Sequence, residues 1–166
     1  MKPKGYSRLF ATSAALIVAT FATPLAFAAS ATWNGTTDAT WALDTNWSAT
    51  PAPGTGDTAT FNNAGGAVDI IDLGAGVTIK SVIFDTATVA AYTLGAGAVG
   101  SQTLALESAG AITANATIAA NQLINANVNL GSSAVSESFT ITNNKTATNS
   151  LTLAGGVSTT EAQQKK

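Results

Sequence analysis

The chain has 166 residues with seven basic and nine acidic side chains, a net charge of −2 and 10% charged residues. Because it contains no His and no Cys, Ser-His-Asp and Cys-His catalysis, disulfide scaffolds and the usual zinc sites are excluded. An acidic chain without a basic patch is also a poor nucleic-acid binder, since such binding depends on Lys and Arg. We expect no cofactor and no metal.

Residues 1–28 have the composition of an export signal. Three basic residues stand at the start, and a stretch of small and apolar residues follows them. The stretch ends in Ala-Phe-Ala, the small-x-small pattern that signal peptidase needs, which predicts cleavage between Ala28 and Ala29. A retained membrane anchor is the alternative, but Pro24 and several Thr make the stretch a poor span. We therefore expect a secreted or cell-surface chain without a membrane span after cleavage.

Residues 29–60 form a distinct segment, because they hold all three Trp of the chain, Trp33, Trp41 and Trp47. One interpretation buries these rings in an N-terminal cap, which covers the first exposed strand edge of a repetitive β-structure. The other interpretation exposes them as a platform on which sugar rings stack, and it indicates a carbohydrate-binding module. Both interpretations stay open at this point.

Residues 61–157 consist of short runs in which apolar and small polar residues alternate, separated by Gly and Asn. Each run predicts a strand of about three to six residues. Helix formers such as Glu, Lys, Gln and Arg are scarce and β-branched residues are common, which favours an all-β fold. The predicted strands include Thr58–Phe61, Ala67–Asp72, Val77–Ile79, Ser81–Phe84 and Thr103–Leu106.

Two apolar-x-apolar series repeat with a common period of 22–24 residues. The first comprises Val82-x-Phe84, Leu104-x-Leu106, Val128-x-Leu130 and Leu151-x-Leu153. The second comprises Tyr92-x-Leu94, Ala116-x-Ile118 and Phe139-x-Ile141. Residues i and i+2 of a strand face the same side, so the stacking of successive coils gathers such pairs in one core.

This period predicts a right-handed parallel β-helix, or β-solenoid, of about four coils over residues 61–157. A β-sandwich is the alternative, but it gives no reason for two series to stay in phase. The solenoid places four side chains in a single internal column, namely Phe84, Leu106, Leu130 and Leu153. It also predicts side-chain ladders at the bends. Their members are Asn121, Asn125, Asn127, Asn129, Asn143 and Asn144.

These predictions divide the chain into four segments. Residues 1–28 are the export signal, residues 29–60 the Trp-rich cap and residues 61–157 the coils. Residues 158–166 are polar and are expected to form a disordered tail.

The acidic residues offer two candidates for chemistry. Asp69 and Asp72 are a close pair, but an offset of three in a strand points them to opposite faces, whereas glycoside hydrolysis needs two carboxylates in one cleft. Asp85 and Glu107 lie 22 residues apart, which is one period, so the period stacks them on one outer face. Stacked like charges repel unless a cation lies between them, and a weak Ca²⁺ site is the alternative to two solvated acids.

A set of motifs in order along Ala31–Gly66 resembles a known family. The pattern W-x-G, W, N-W, P and G-D-T-x-x-F is formed by Trp33, Gly35, Trp41, Asn46-Trp47, Pro53, Gly56-Asp57-Thr58 and Phe61. The run Thr78–Phe84 then matches a T-I-x-S-I-x-F element, with Val82 at the second Ile. With these motifs the chain resembles the N-terminal part of bacterial autotransporter-associated β-strand repeat proteins over roughly Ala31–Val157.

The resemblance implies a long β-helix, secreted or on the surface of a Gram-negative-type bacterium, with further repeats in a longer parent chain. It implies no catalytic residues. We therefore expect a non-catalytic structural segment that serves as a stalk, spacer or adhesin-like passenger, with an extracellular glycan or surface molecule as partner. The alternatives are the carbohydrate-binding module and, more weakly, a polysaccharide-active β-helix enzyme. The absence of Arg from residues 29–166 argues against a lyase of that kind.

Overall fold

The computed structural model describes Met1 and residues 29–64, 68–131, 137–145 and 149–159. The predicted export signal, apart from Met1, lies outside the described residues, and so does most of the predicted tail. Within the described ranges the structure is all-β, with one 3₁₀ turn at Asp44–Asn46 and no α-helix. No helix in these ranges is long and apolar enough to cross a membrane.

The strands of the described ranges are short, because Gly, Asn and Pro interrupt the apolar runs. The first five are β1 (Ala31–Thr32), β2 (Thr58–Phe61), β3 (Ile70–Ile71), β4 (Val77–Phe84) and β5 (Thr93–Leu94). The other six are β6 (Thr103–Ala114), β7 (Gln122–Ile124), β8 (Asn127–Leu130), β9 (Thr140–Asn143), β10 (Leu151–Leu153) and β11 (Val157–Thr159). The predicted strands at residues 58–61, 77–84 and 103–106 are confirmed. β11 extends two residues into the segment that the sequence assigns to the tail.

All pairs between these strands are parallel, and the strands form two sheets. The larger sheet has the order β1-β2-β4-β6-β8-β11, with β9 also paired to β6, and the smaller has the order β3-β5-β7-β10. From β2 to β8 the chain passes alternately between the two sheets, so no hairpin joins neighbours within a sheet. This topology is compatible with a parallel β-solenoid and does not fit the antiparallel β-sandwich.

Core side chains stack in columns, because parallel strands in register place equivalent residues above one another. In the smaller sheet one column contains Ile71, Leu94, Ile124 and Leu153. In the larger sheet two such columns contain Ala59, Val82, Ile112 and Ile141, and Val77, Leu104, Val128 and Val157. The interior members are fully buried, whereas Ile141 and Val157, at the end of their columns, are 40% and 51% exposed.

The sequence predicts one column that the structure does not form, made of Phe84, Leu106, Leu130 and Leu153. Leu106 does oppose Leu130. Phe84, however, opposes Ala114 in the other half of β6, and Leu153 opposes a residue of the smaller sheet. The second series is divided as well, since Leu94 lies in β5, Ile141 lies in β9 and residues 116–118 lie in no strand.

A bulge in β6 explains why the predicted period fails. Ile79 opposes Leu106, an offset of 27 residues, whereas Ser81 opposes Ala111, an offset of 30. The extra residues, Glu107–Gly110, leave the ladder while the strand continues on both sides. A sequence period does not detect such a bulge, because the apolar alternation resumes after it.

Candidate functional site

The three Trp pack around Phe61 at the start of the larger sheet. Trp33, Trp41 and Trp47 are 1%, 2% and 4% exposed. The ring centroids of Trp41 and Trp47 are 4.7 Å apart, those of Trp33 and Trp47 are 5.0 Å apart, and both pairs are edge to face. Phe61 in turn stacks on Phe84 at 5.4 Å, which joins the cluster to the core. The rings are buried, as the cap interpretation predicts. The exposed stacking platform is wrong, because the rings cover one another.

The indole N–H groups explain part of the sequence pattern around the Trp cluster. Trp47 Nε1 donates to the carbonyl O of Trp41 at 2.7 Å, and Trp41 Nε1 donates to the carbonyl O of Pro53 at 2.8 Å. Gly35 has a φ of +57°, and a Cβ there would lie 2.6 Å from Trp33 Nε1. The Gly of the W-x-G motif is therefore required both by its backbone conformation and by the ring packed against it.

Asn46 is the polar centre of the loop that carries the Trp. Its side chain is fully buried, and its Oδ1 accepts from the backbone N–H groups of Thr37 at 3.0 Å and Asp38 at 3.2 Å. Its Nδ2 donates to Asp38 Oδ1 and to the carbonyl O of Thr40, both at 2.9 Å. The backbone N–H of Thr40, followed by the Asn46 amide, lowers the pKa of Asp38 below its usual value. This network fixes the loop, because each polar atom of the buried amide has a partner.

Residues 39–48 close the first edge of both sheets, and we call this region the capped end. Ser48 N–H donates to the carbonyl O of Thr32 in β1 at 2.9 Å, and the Thr32 N–H donates to Ser48 Oγ at 2.9 Å. On the smaller sheet, the Trp41 N–H donates to the carbonyl O of Asp72 at 2.9 Å, directly after β3. Capped edges of this kind do not offer free ladder groups to another chain.

Side-chain amides connect successive strands of the smaller sheet. Gln122 is 1% exposed; its Oε1 accepts from the Tyr92 N–H at 3.1 Å and its Nε2 donates to the carbonyl O of Ala90 at 2.8 Å. Asn125 Nδ2 donates to the carbonyl O of Gly95 at 3.0 Å. These bonds satisfy backbone groups where the chain bends and a strand ladder is absent.

The predicted Asn ladder is not formed in the described strands. Asn127 and Asn129 of β8 oppose Thr103 and Ala105, not other Asn residues. The amides bond to backbone and hydroxyl groups instead, as when Asn127 Nδ2 donates to Ser158 Oγ at 2.9 Å. The uneven offsets explain this outcome, because a ladder needs the same residue at every register position.

Asp85 and Glu107 do not stack, so the Ca²⁺ site predicted from them is wrong. Asp85 accepts from the side chains of Asn115 and Thr117, and the Asn115 bond is the main cause that lowers its pKa. Glu107 lies in the bulge, where its Oε2 accepts from the Gly56 N–H at 2.7 Å. Within the described ranges, no group of three or more acidic residues is arranged to hold a metal ion.

Asp69 and Asp72 have different surroundings. Asp72 Oδ1 accepts from Gln102 Nε2 and from the Gly74 N–H, and the Gln102 bond is the main cause that lowers its pKa. Asp69 Oδ1 is buried and has no hydrogen-bond partner in the described part of the chain. Burial of Tyr92, together with the charge of Asp69, raises the pKa of this phenol to about 12. Asp72 therefore holds a turn and is not one half of an acid–base pair.

A shallow groove of about 340 Å³ runs beside the capped end. It is lined by Trp41, Ala42, Asp44, the Pro51–Thr55 turn and Gly76–Thr78. Asp44 is the ionisable residue of this lining, and its Oδ1 accepts from the Ala52 N–H at 2.8 Å. Glycoside hydrolysis needs two carboxylates, so this lining does not supply the pair.

The sequence contains a signal that the apolar period misses. Gln102, Gln122 and Asn125 each bond to a residue 30 positions earlier, namely Asp72, Tyr92 and Gly95. Amide side chains at this spacing mark the offset of the structure better than the Leu and Val pairs do. Those apolar pairs occur in most strands of so apolar a chain.

No family model matches the chain, and no curated protein or solved structure is significantly similar to it. The capped end and the stacked strands are the features from which a function must be argued.

Proposed function

We propose that the chain is an exported, non-catalytic structural segment, a right-handed parallel β-solenoid of about four coils that serves as a stalk, spacer or adhesin-like surface. The observation that carries the proposal is the continuous series of parallel pairs from β1 to β11 in the larger sheet. Each pair joins residues 23–30 positions apart, as in Phe61 with Phe84 and Val82 with Ile112. Stacked units of this kind stabilise one another through their neighbours and extend along one axis.

The use of polar side chains supports a structural function. The carboxylates of Asp38, Asp72 and Asp85 accept bonds from loop backbone or neighbouring side chains. The buried amides of Gln122 and Asn125 bond to the backbone of the preceding strand region. Groups that serve as acids, bases or ligands in other proteins thus hold this backbone in place. The outer Thr, Ser and Asn side chains are left to meet solvent or a surface partner.

Export is tested by the mass of the mature product. The full chain is expressed in a Gram-negative bacterium, and the soluble exported fraction is analysed by intact mass. We expect a product that begins at Ala29, and the substitution Ala28→Leu should block cleavage because signal peptidase needs a small residue there. Phe27→Leu is the matched control and should be cleaved normally. Retention of the uncleaved parent chain in the cytoplasm would contradict the proposal.

The structural role is tested on the exported product. Stacked strands with satisfied backbone groups open rarely, so we expect residues 31–159 to survive a protease concentration that digests an unfolded chain of similar length. The same sample should release no reducing ends and no unsaturated sugars from a panel of polysaccharides. Rapid cleavage between β4 and β8 would contradict the solenoid, and sugar release lost in a carboxylate variant would contradict the non-catalytic role.

A further inference from the structure

We propose that two copies of the chain dock through the free edge of β9 and form a closed, symmetric dimer. The inference rests on the strand pairing alone and is independent of export or adhesion. Its occupant is a second copy of this chain, for the following reasons.

The last strands form an open end, which we define as β9, β10 and β11. In the described part of the chain, each of these strands pairs with another strand on one side only. Ile141 in β9 and Val157 in β11 are 40% and 51% exposed, although they continue columns whose earlier members are buried. Free N–H and C=O groups next to exposed apolar residues favour the addition of a strand.

The sequence of the open end does not protect it from pairing. β9 reads Thr-Ile-Thr-Asn and contains no charge and no Pro, which are the residues that commonly guard an edge. Residues 160–166 read Thr-Glu-Ala-Gln-Gln-Lys-Lys and contain no large apolar side chain. That segment therefore lacks the side chains needed to cover Ile141.

Charge symmetry about Ile141 identifies the second copy as the partner. Glu137 lies four residues before Ile141, and Lys145 lies four residues after it. In an antiparallel pair, opposite residues have a constant sum of positions, so a register with Ile141 opposite itself also sets Thr140 opposite Thr142. Continued past the strand ends, this register places Glu137 opposite Lys145 of the second copy. Two-fold symmetry repeats that pair at the other end of the ladder.

The capped end decides that the assembly closes. A head-to-tail chain of copies needs a free edge at both ends, but Ser48 and Thr32 already bond to each other at the first edge of the larger sheet. The edge of β9 therefore has a matching free edge in the corresponding strand of another copy. Such isologous contacts give dimers and not filaments.

The test is the mass and dissociation constant of the exported product, measured by sedimentation equilibrium over a range of concentrations. We expect a monomer–dimer equilibrium. E137K or K145E should each raise the dimer Kd about tenfold or more, because each change replaces two attractive pairs with two like-charge contacts. The double variant E137K/K145E should restore the parent Kd, since it exchanges the charges and keeps the pairing. I141K should abolish the dimer.

Control variants separate this interface from a general loss of folding. Val99→Lys adds a charge at a position that is 64% exposed and outside the open end, and it should leave the dimer Kd unchanged. Far-ultraviolet circular dichroism should be the same for all variants. A monomer at every concentration would overturn the proposal. A dimer indifferent to the charge variants, failure of the double variant to restore it, or growth into filaments would each overturn it as well.

Discussion

The two ends of the molecule differ although the same kind of strand forms both. At the capped end, three Trp are buried and the edges of β1 and β3 bond to the loop that carries them. At the open end, Ile141 and Val157 continue buried columns but remain exposed. A stacked sheet thus buries a residue only when another layer lies beyond it. The Trp cluster provides such a layer at one end, and nothing in the described residues provides it at the other.

The largest expected effect is at the capped end. Trp41→Ala removes a buried ring that contacts Trp47 and Phe61 and leaves a cavity, so we expect a loss of about 3–5 kcal/mol in the free energy of unfolding. Leu153→Ala is the matched change at the open end, where the side chain is half-buried, and it should cost less than about 2 kcal/mol. Urea unfolding measures both values. Equal losses would show that the two ends do not differ in packing.

A second comparison concerns the approach of one layer to the next. Gly95 has a φ of +106°, and a Cβ there would lie 2.6 Å from the Ala126 backbone N, whereas Gly74 has a φ of +57° and open space around it. Gly95→Ala therefore adds a clash of about 1–3 kcal/mol to the backbone strain that both substitutions share. We expect a clearly lower melting temperature for Gly95→Ala than for Gly74→Ala. The same melting temperature for both would mean that the layers are not in close contact at this bend.

Tyr92 connects the capped half to alkaline stability. Its pKa is raised to about 12 from an ordinary value of 10, so the folded state favours the neutral phenol. The stability that this contributes is fully present below pH 10 and is lost as the pH rises from 10 to 12. We expect phenolate absorbance of the exported product to appear together with unfolding in this range. Titration near pH 10 with the fold intact would contradict the burial of Tyr92.

The smallest effect is expected in acid. The pKa values of Asp38, Asp72 and Asp85 are lowered by hydrogen bonds from backbone and side-chain donors. A lowered pKa stabilises the fold above the unfolded value, near pH 3.8, and this contribution is lost as the pH falls through the folded values. The melting temperature should fall modestly below pH 4, and less so in Asp72→Asn. An unchanged melting temperature down to pH 2 would exclude these bonds as stabilising.

The sequence predicted the class of the fold better than its register. Alternation in β2, β4 and the first part of β6 was sufficient to predict strands, since a strand needs only local information. The column through Phe84 and Leu106 could not be predicted, because the bulge at Glu107–Gly110 shifts all later pairs without changing the local pattern. Burial of the Trp was one of two interpretations, and their mutual contacts decide between them. The closure of the sheet edges by Ser48 has no sequence signature, since any Ser offers the same groups.

The register of the larger sheet is the central claim, and a cross-link measures it most directly. The chain has no Cys, so two introduced Cys report on each other alone. Ile83 opposes Thr113 in the structure, whereas the 22-residue period of the sequence sets Ile83 opposite Ala105. A disulfide needs Cα atoms within about 7 Å. We predict that the pair Ile83→Cys and Thr113→Cys forms an intramolecular disulfide under mild oxidation and that Ile83→Cys and Ala105→Cys does not. The opposite result would contradict the account.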